Sequence, residues 1–109
     1  MSDIQELTSA IRQFTEERDW DQFHNPKDLA VALSIEASEL LEAFLWKAPE
    51  EAKVEKVREE LADVINYALL IADKYQLDVK QIVMDKLARN AEKYPVEKAR
   101  GTAKKYNEL

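Results

Sequence analysis

The sequence predicts an all-α protein: a four-helix bundle forming a single domain over residues 1–109, completed by oligomerisation. Three observations carry that expectation. Glycine occurs once, at Gly101, and proline three times, so the chain has little punctuation for hairpins. Apolar residues recur at three- and four-residue steps, the helical period. Two acidic pairs, Glu36-Ala37-Ser38-Glu39 and Glu60-Leu61-Ala62-Asp63, fall at i, i+3 within segments rich in Leu, Ile, Val and Ala. On a helix that spacing places both carboxylates of a pair on one face, roughly 5–6 Å apart at Cβ. Two such helices packed face to face gather Glu36, Glu39, Glu60 and Asp63 into one cluster. Four negative charges so close do not stay ionised without a cation. Oxygen-only ligation suits a hard divalent ion, Mg²⁺ or Mn²⁺.

Composition narrows the function classes. Apolar residues make up 46% and charged residues 35%, which suits a folded helical protein rather than a disordered one. Sixteen basic against twenty-two acidic residues give a net charge of −6. That balance argues against duplex nucleic acid as a partner, because phosphate neutralisation drives such binding. It permits a nucleotide whose phosphates are held through metal. Cysteine is absent, which excludes disulfides, thiolate metal sites and cysteine nucleophiles. No window approaches the ~20 apolar residues of a membrane span. Met1 to Glu6 lacks the basic and apolar regions of a signal peptide, so a cytoplasmic location is expected.

Taken in order, Ser2 or Asp3 caps a first helix to about Asp19, with Ile4, Leu7, Ile11 and Phe14 on its apolar side. The loop from Trp20 to Pro26 holds two aromatics and the only histidine, His24; packing and binding explain it equally well. Asn25-Pro26 is a strong start signal for a second helix running to about Lys47. Its apolar residues lie nearly all round it, as in a helix buried on most sides. In so short a chain, that points to a second subunit. Glu36 shares its flank with Ala32, Leu40 and Ala43, unusual company for a surface glutamate. Trp46 falls seven residues after Glu39, two turns along the same stripe and about 10 Å along the axis. There it can flank a base, or simply fill a helix interface.

Ala48-Pro49 breaks the second helix, and Glu50-Glu51 opens a third. Lys53 to Glu59 reads as a solvated face, and Leu61 to Ala72 as buried. Glu60, Asp63 and Tyr67 share one side. Asp78 caps a fourth helix through Tyr94, with Val79, Ile82, Val83 and Leu87 facing inward. Lys86, Asn90 and Lys93 form one polar stripe, suited to phosphate oxygens or to plain solvent. A basic tail, residues 94–109, follows; it either folds over the acidic site or is disordered.

A di-iron bundle needs Glu-x-x-His pairs, which a chain with one loop histidine lacks. At the acidic pairs the sequence instead resembles the MazG-like, all-α nucleoside triphosphate pyrophosphohydrolases. Their signature is Glu-x-x-Glu, a spacer, then Glu-x-x-Asp. The similarity looks closest to the dCTP pyrophosphatase branch and covers almost the whole chain. It takes in Glu17-Arg18-Asp19-Trp20, Gln22-Phe23-His24, Phe44-Leu45-Trp46-Lys47 and Asp63-Val64-Ile65-Asn66-Tyr67. It continues through Asn90 and Tyr94-Pro95 to Lys105-Tyr106-Asn107-Glu108-Leu109. The chain departs from the branch in having Ile35, Ala37 and Ser38 where glycines are usual, and in a short loop at Ala48-Pro49.

The resemblance implies that Glu36, Glu39, Glu60 and Asp63 bind Mg²⁺. It implies that Trp20 and Trp46 flank the base with His24 nearby, and that Tyr67 lies near sugar or phosphates. Lys86, Asn90, Lys93 and Lys105 are implied as phosphate contacts, in a homodimer or homotetramer. The activity expected is Mg²⁺-dependent hydrolysis of a (deoxy)nucleoside triphosphate, dCTP or a modified dCTP first, to monophosphate and pyrophosphate. Glu36 or Glu39 orients or deprotonates the attacking water. The alternatives are a non-catalytic nucleotide- or metal-sensing module and a purely structural helical oligomer.

Overall fold

The structure, a computed structural model, describes residues 1–109 and contains helices and turns with no strand. Its five α-helices are α1 (Asp3–Glu17), α2 (Pro26–Glu42), α3 (Val54–Lys74), α4 (Val79–Lys93) and α5 (Val96–Ala99). The chain forms two compact units, Met1–Leu77 and Asp78–Leu109. None of the helices is long and apolar enough to cross a membrane.

In the first unit, side chains written into the sequence set the helix starts. Ser2 Oγ accepts from the Gln5 amide at 3.2 Å while Gln5 Oε1 accepts from the Ser2 amide at 2.9 Å, a reciprocal cap that opens α1. Asn25 Oδ1 accepts from the Asp28 amide at 2.9 Å, and Pro26 takes the first position of α2. The α3 helix packs along α2 and also touches α1. Leu29, Ala43, Leu69, Leu70 and Ala72 make the buried core, with Thr15 against it. Arg12 forks onto both carboxylate oxygens of Asp73, joining α1 to the end of α3.

Two boundaries differ from the sequence expectation. The second helix stops at Glu42 rather than Lys47. Beyond it the amides of Phe44 and Lys47 reach back three residues, to Leu41 and Phe44 oxygens, and Trp46 adopts a left-handed φ of 62°. Proline forces Ala48 into an extended conformation (ψ 154°), so the helix must unwind beforehand, and tight turns satisfy its last carbonyls. Trp46 therefore does not continue the Glu39 stripe. It projects from a turn, 99% exposed. The third helix likewise starts at Val54, not Glu50. Glu51 Oε1 accepts from the Ala48 amide at 3.0 Å, closing one 3₁₀ turn (Pro49–Glu51), and extended backbone at Ala52 and Lys53 separates that turn from α3.

Not every apolar face is covered. Val31, Ile35 and Leu41 on α2 are more than half-exposed or close to it, so the all-round pattern of that helix is not buried within one chain. In the second unit, Asp78 Oδ1 caps α4 by accepting from the Gln81 amide at 3.0 Å. Its apolar residues Ile82, Val83 and Leu87 are exposed rather than inward-facing. The periodicity identified a real apolar stripe, but periodicity alone does not tell what covers it. The tail is ordered into α5 and a 3₁₀ turn over Tyr106–Glu108. Tyr106 stacks edge-on against Tyr94, ring centroids 6.2 Å apart, and the Lys93 ammonium sits 5.0 Å from the Tyr106 ring.

Candidate metal centre and adjoining cavity

The packing of α2 along α3 brings the two acidic pairs together. Glu36, Glu60 and Asp63 each present a carboxylate oxygen, and these oxygens lie within 4.8 Å of one another. Glu39 falls outside that tight trio but lies within hydrogen-bonding reach of both Glu36 and Glu60. All four candidate ligands thus converge, with three forming the core of the group.

The environment of each carboxylate differs. Burial, then hydrogen bonding to Glu39, then the charges of Glu39, Asp63 and Glu60 push the Glu36 carboxyl up to about 7. Glu60 is buried, yet its pKa is lowered, because Lys56 one turn earlier donates to Oε1 at 2.8 Å. The second oxygens, Glu36 Oε2 and Glu60 Oε2, are buried without a hydrogen-bond partner. Buried unpaired oxygens are costly. A set made wholly of carboxylates, with two such oxygens turned inward, fits a hard divalent cation. Tyr67, one turn after Asp63, has its pKa raised by burial and by the charges of Glu36 and Asp63, so it remains a neutral hydroxyl.

Beside this group lies a cavity of about 420 Å³, formed between α1, the loop after it and α3. Asp63 belongs to both cavity and acidic group, Tyr67 lines the cavity one turn further along α3, and Trp20 and His24 reach in from the loop. Trp20 is fixed edge-on by Phe14, ring centroids 5.7 Å apart, and the Arg18 guanidinium lies 3.7 Å over the Phe14 ring. Lys74 holds the loop to α3 through a 2.6 Å contact with Asp21, whose pKa it lowers. All the lining residues come from the first unit. Trp46 is not among them, and Lys86, Asn90, Lys93 and Lys105 are carried by the second unit.

Sequence reasoning passed over Asn66, Ile11, Phe14 and Leu70 as cavity residues, and Lys56 as a partner of Glu60. Lys56–Glu60 was legible as an i, i+4 pair. Asn66 stands three residues after Asp63, so helical spacing placed it beside the site as well.

Residues 31–109 match the profile of the MazG-like family. The chain belongs to that family. It is 38% identical over 114 residues to dCTP pyrophosphatase 1 of Bos taurus, spanning 97% of this chain and 68% of that protein. Against dCTP pyrophosphatase 1 of Homo sapiens the identity is 36%, over 97% of this chain and 67% of that one. The fold matches the crystal structure of a pyrophosphatase from Archaeoglobus fulgidus with a TM-score of 0.81. That protein is 36% identical, with 87% of this chain and 94% of the other covered.

Proposed function

We infer that this protein is a nucleoside triphosphate pyrophosphohydrolase that uses Mg²⁺ to convert dCTP, or a modified dCTP, into the monophosphate and pyrophosphate. The observation that carries the reading is the acidic group with its two buried, unpaired oxygens, set against an aromatic cavity large enough for a nucleoside. The MazG-like family and the dCTP pyrophosphatases among its relatives support the reaction and the base. A purely structural scaffold needs neither a half-buried carboxyl driven up to about 7 nor a cavity that shares Asp63 with the acidic group.

Glu36, Glu60 and Asp63 would hold the cation. Bound there, Mg²⁺ would neutralise charge on phosphate oxygens, which in phosphoryl transfer is most of what catalysis requires. Glu39, adjacent to the trio but outside it, orients the attacking water and takes up its proton. Tyr67 donates its hydroxyl to sugar or phosphate oxygen. Trp20 supplies a stacking face, with His24 at the base. Trp46, Lys86, Asn90, Lys93 and Lys105 complete base and phosphate contacts in an oligomer, a dimer or tetramer. The exposed apolar faces of α2 and α4 support that assembly.

Incubating the purified protein with each dNTP and Mg²⁺, and measuring pyrophosphate, tests the reading. Release that is fastest with dCTP, stops in EDTA and stops in Glu39→Gln is expected. Tight dCTP binding without product would point to a sensor instead.

A further inference from the structure

Stacking alone leaves the cavity indifferent to which base enters, because every base has a π-face. Discrimination requires polar groups that go unpaired when the wrong base is bound. The cavity's polar side chains are few. Thr15 already donates its hydroxyl to the Arg12 carbonyl at 2.9 Å, Asp63 belongs to the acidic group, and the proposed function assigns Tyr67 to sugar or phosphate and the Trp20 ring to stacking. Asn66 and His24 remain. Asn66 is an exposed residue of α3, on the turn between Asp63 and Leu70, in a cavity whose other walls are largely apolar. His24 Nδ1 is buried there and has no hydrogen-bond partner. That nitrogen has no accessible surface, so a ligand in the cavity meets His24 through the rest of its ring.

We propose that Asn66, together with His24, reads the hydrogen-bonding edge of the nucleobase and is a specificity-determining residue. This rests on the reading that the cavity takes a nucleotide. A carboxamide offers an acceptor and a donor side by side. That pair complements an edge bearing one donor next to one acceptor, as cytosine does with its amino group and N3. Helical spacing keeps Asn66 about 5–6 Å from Asp63 at Cβ, so the group reading the base and the group holding the cation are set by one rigid turn.

The test compares kcat/KM of the wild type and Asn66→Leu on three substrates: dCTP, the deoxynucleoside triphosphate of 2-pyrimidinone, which lacks the amino group, and CTP. The wild type is expected to favour dCTP over the pyrimidinone analogue by about 10- to 100-fold. Asn66→Leu brings that ratio close to one and leaves the dCTP-to-CTP ratio unchanged. An unaltered base ratio in the variant, or no base preference in the wild type, overturns the proposal. So does a change confined to the dCTP-to-CTP ratio, which would make Asn66 a reader of the sugar. Asn66→Ala, which keeps a good helix former, repeats the comparison should the leucine variant fold poorly. If the wild type turns over no triphosphate, the hydrolase reading fails separately. Calorimetric binding of dCMP then decides, with weaker binding in Asn66→Ala expected and equal binding contrary.

Discussion

Glu36 carries the sharpest prediction, because its neutral isostere should act in opposite directions with and without metal. In the metal-free protein, the folded state holds a proton on Glu36 up to about pH 7, whereas the unfolded chain releases it near 4.5. Between those values the native state binds more protons, so stability falls as pH rises. At about 1.4 kcal/mol per pH unit the full gap bounds this penalty near 3 kcal/mol. Glu36 is half-buried rather than sealed, and solvent screening reduces the expressed part to about 1–2 kcal/mol. Glu36→Gln removes the charge while keeping the shape. At pH 8 in EDTA the variant should therefore melt roughly 4–8 °C above the wild type, and at pH 4.5 the two should coincide. Adding Mg²⁺ reverses the order. At a hundredfold excess over its Kd, the cation stabilises the wild type by about 2.7 kcal/mol, and the variant by much less. Thermal melts followed by circular dichroism across pH 4.5–8, with EDTA or Mg²⁺, read all four conditions. A variant less stable than wild type at pH 8 in EDTA, with an undiminished Mg²⁺ response, would refute the reasoning.

Other expectations follow from particular contacts. Leu29 is 1% exposed at the centre of the first unit, so Leu29→Ala should cost about 2–5 kcal/mol in urea unfolding. Trp46 is almost wholly exposed and sits at φ 62°. Trp46→Gly relieves that left-handed strain and should stabilise the fold by about 0.5–1 kcal/mol, while KM rises if the indole contacts substrate in the assembly. Lys74→Ala frees Asp21 and the loop bearing Trp20 and His24. Stability should change by less than about 1 kcal/mol, and steady-state kinetics should show KM rising several-fold with kcat largely kept.

The acidic cluster was legible because its signal is local. Two i, i+3 acidic pairs in apolar surroundings constrain one another once their helices pack, and α2 does lie along α3. The caps at Ser2, Asn25 and Asp78 were legible for the same reason: each is a side chain bonding an amide three residues on. What failed to transfer was the reach of helical periodicity across proline. Leu40 to Trp46 is apolar enough to continue α2, but Pro49 acts back through Ala48 and the turn before it, and Trp46 leaves the stripe. The apolar stripe on α4 was equally clear, yet a stripe carries no information about which surface meets it. The loop cavity was only half visible. Trp20 and His24 stood out as unusual loop residues, but its apolar walls look like any core face, and Asn66 looks like an ordinary polar helix residue.

Diffraction from crystals grown with Mn²⁺, collected at the manganese absorption edge, tests the central claim most directly. The account predicts an anomalous peak among the carboxylates of Glu36, Glu60 and Asp63 that disappears in Glu60→Gln. Crystals of the wild type in which manganese binds elsewhere, with those three side chains bare, would contradict it.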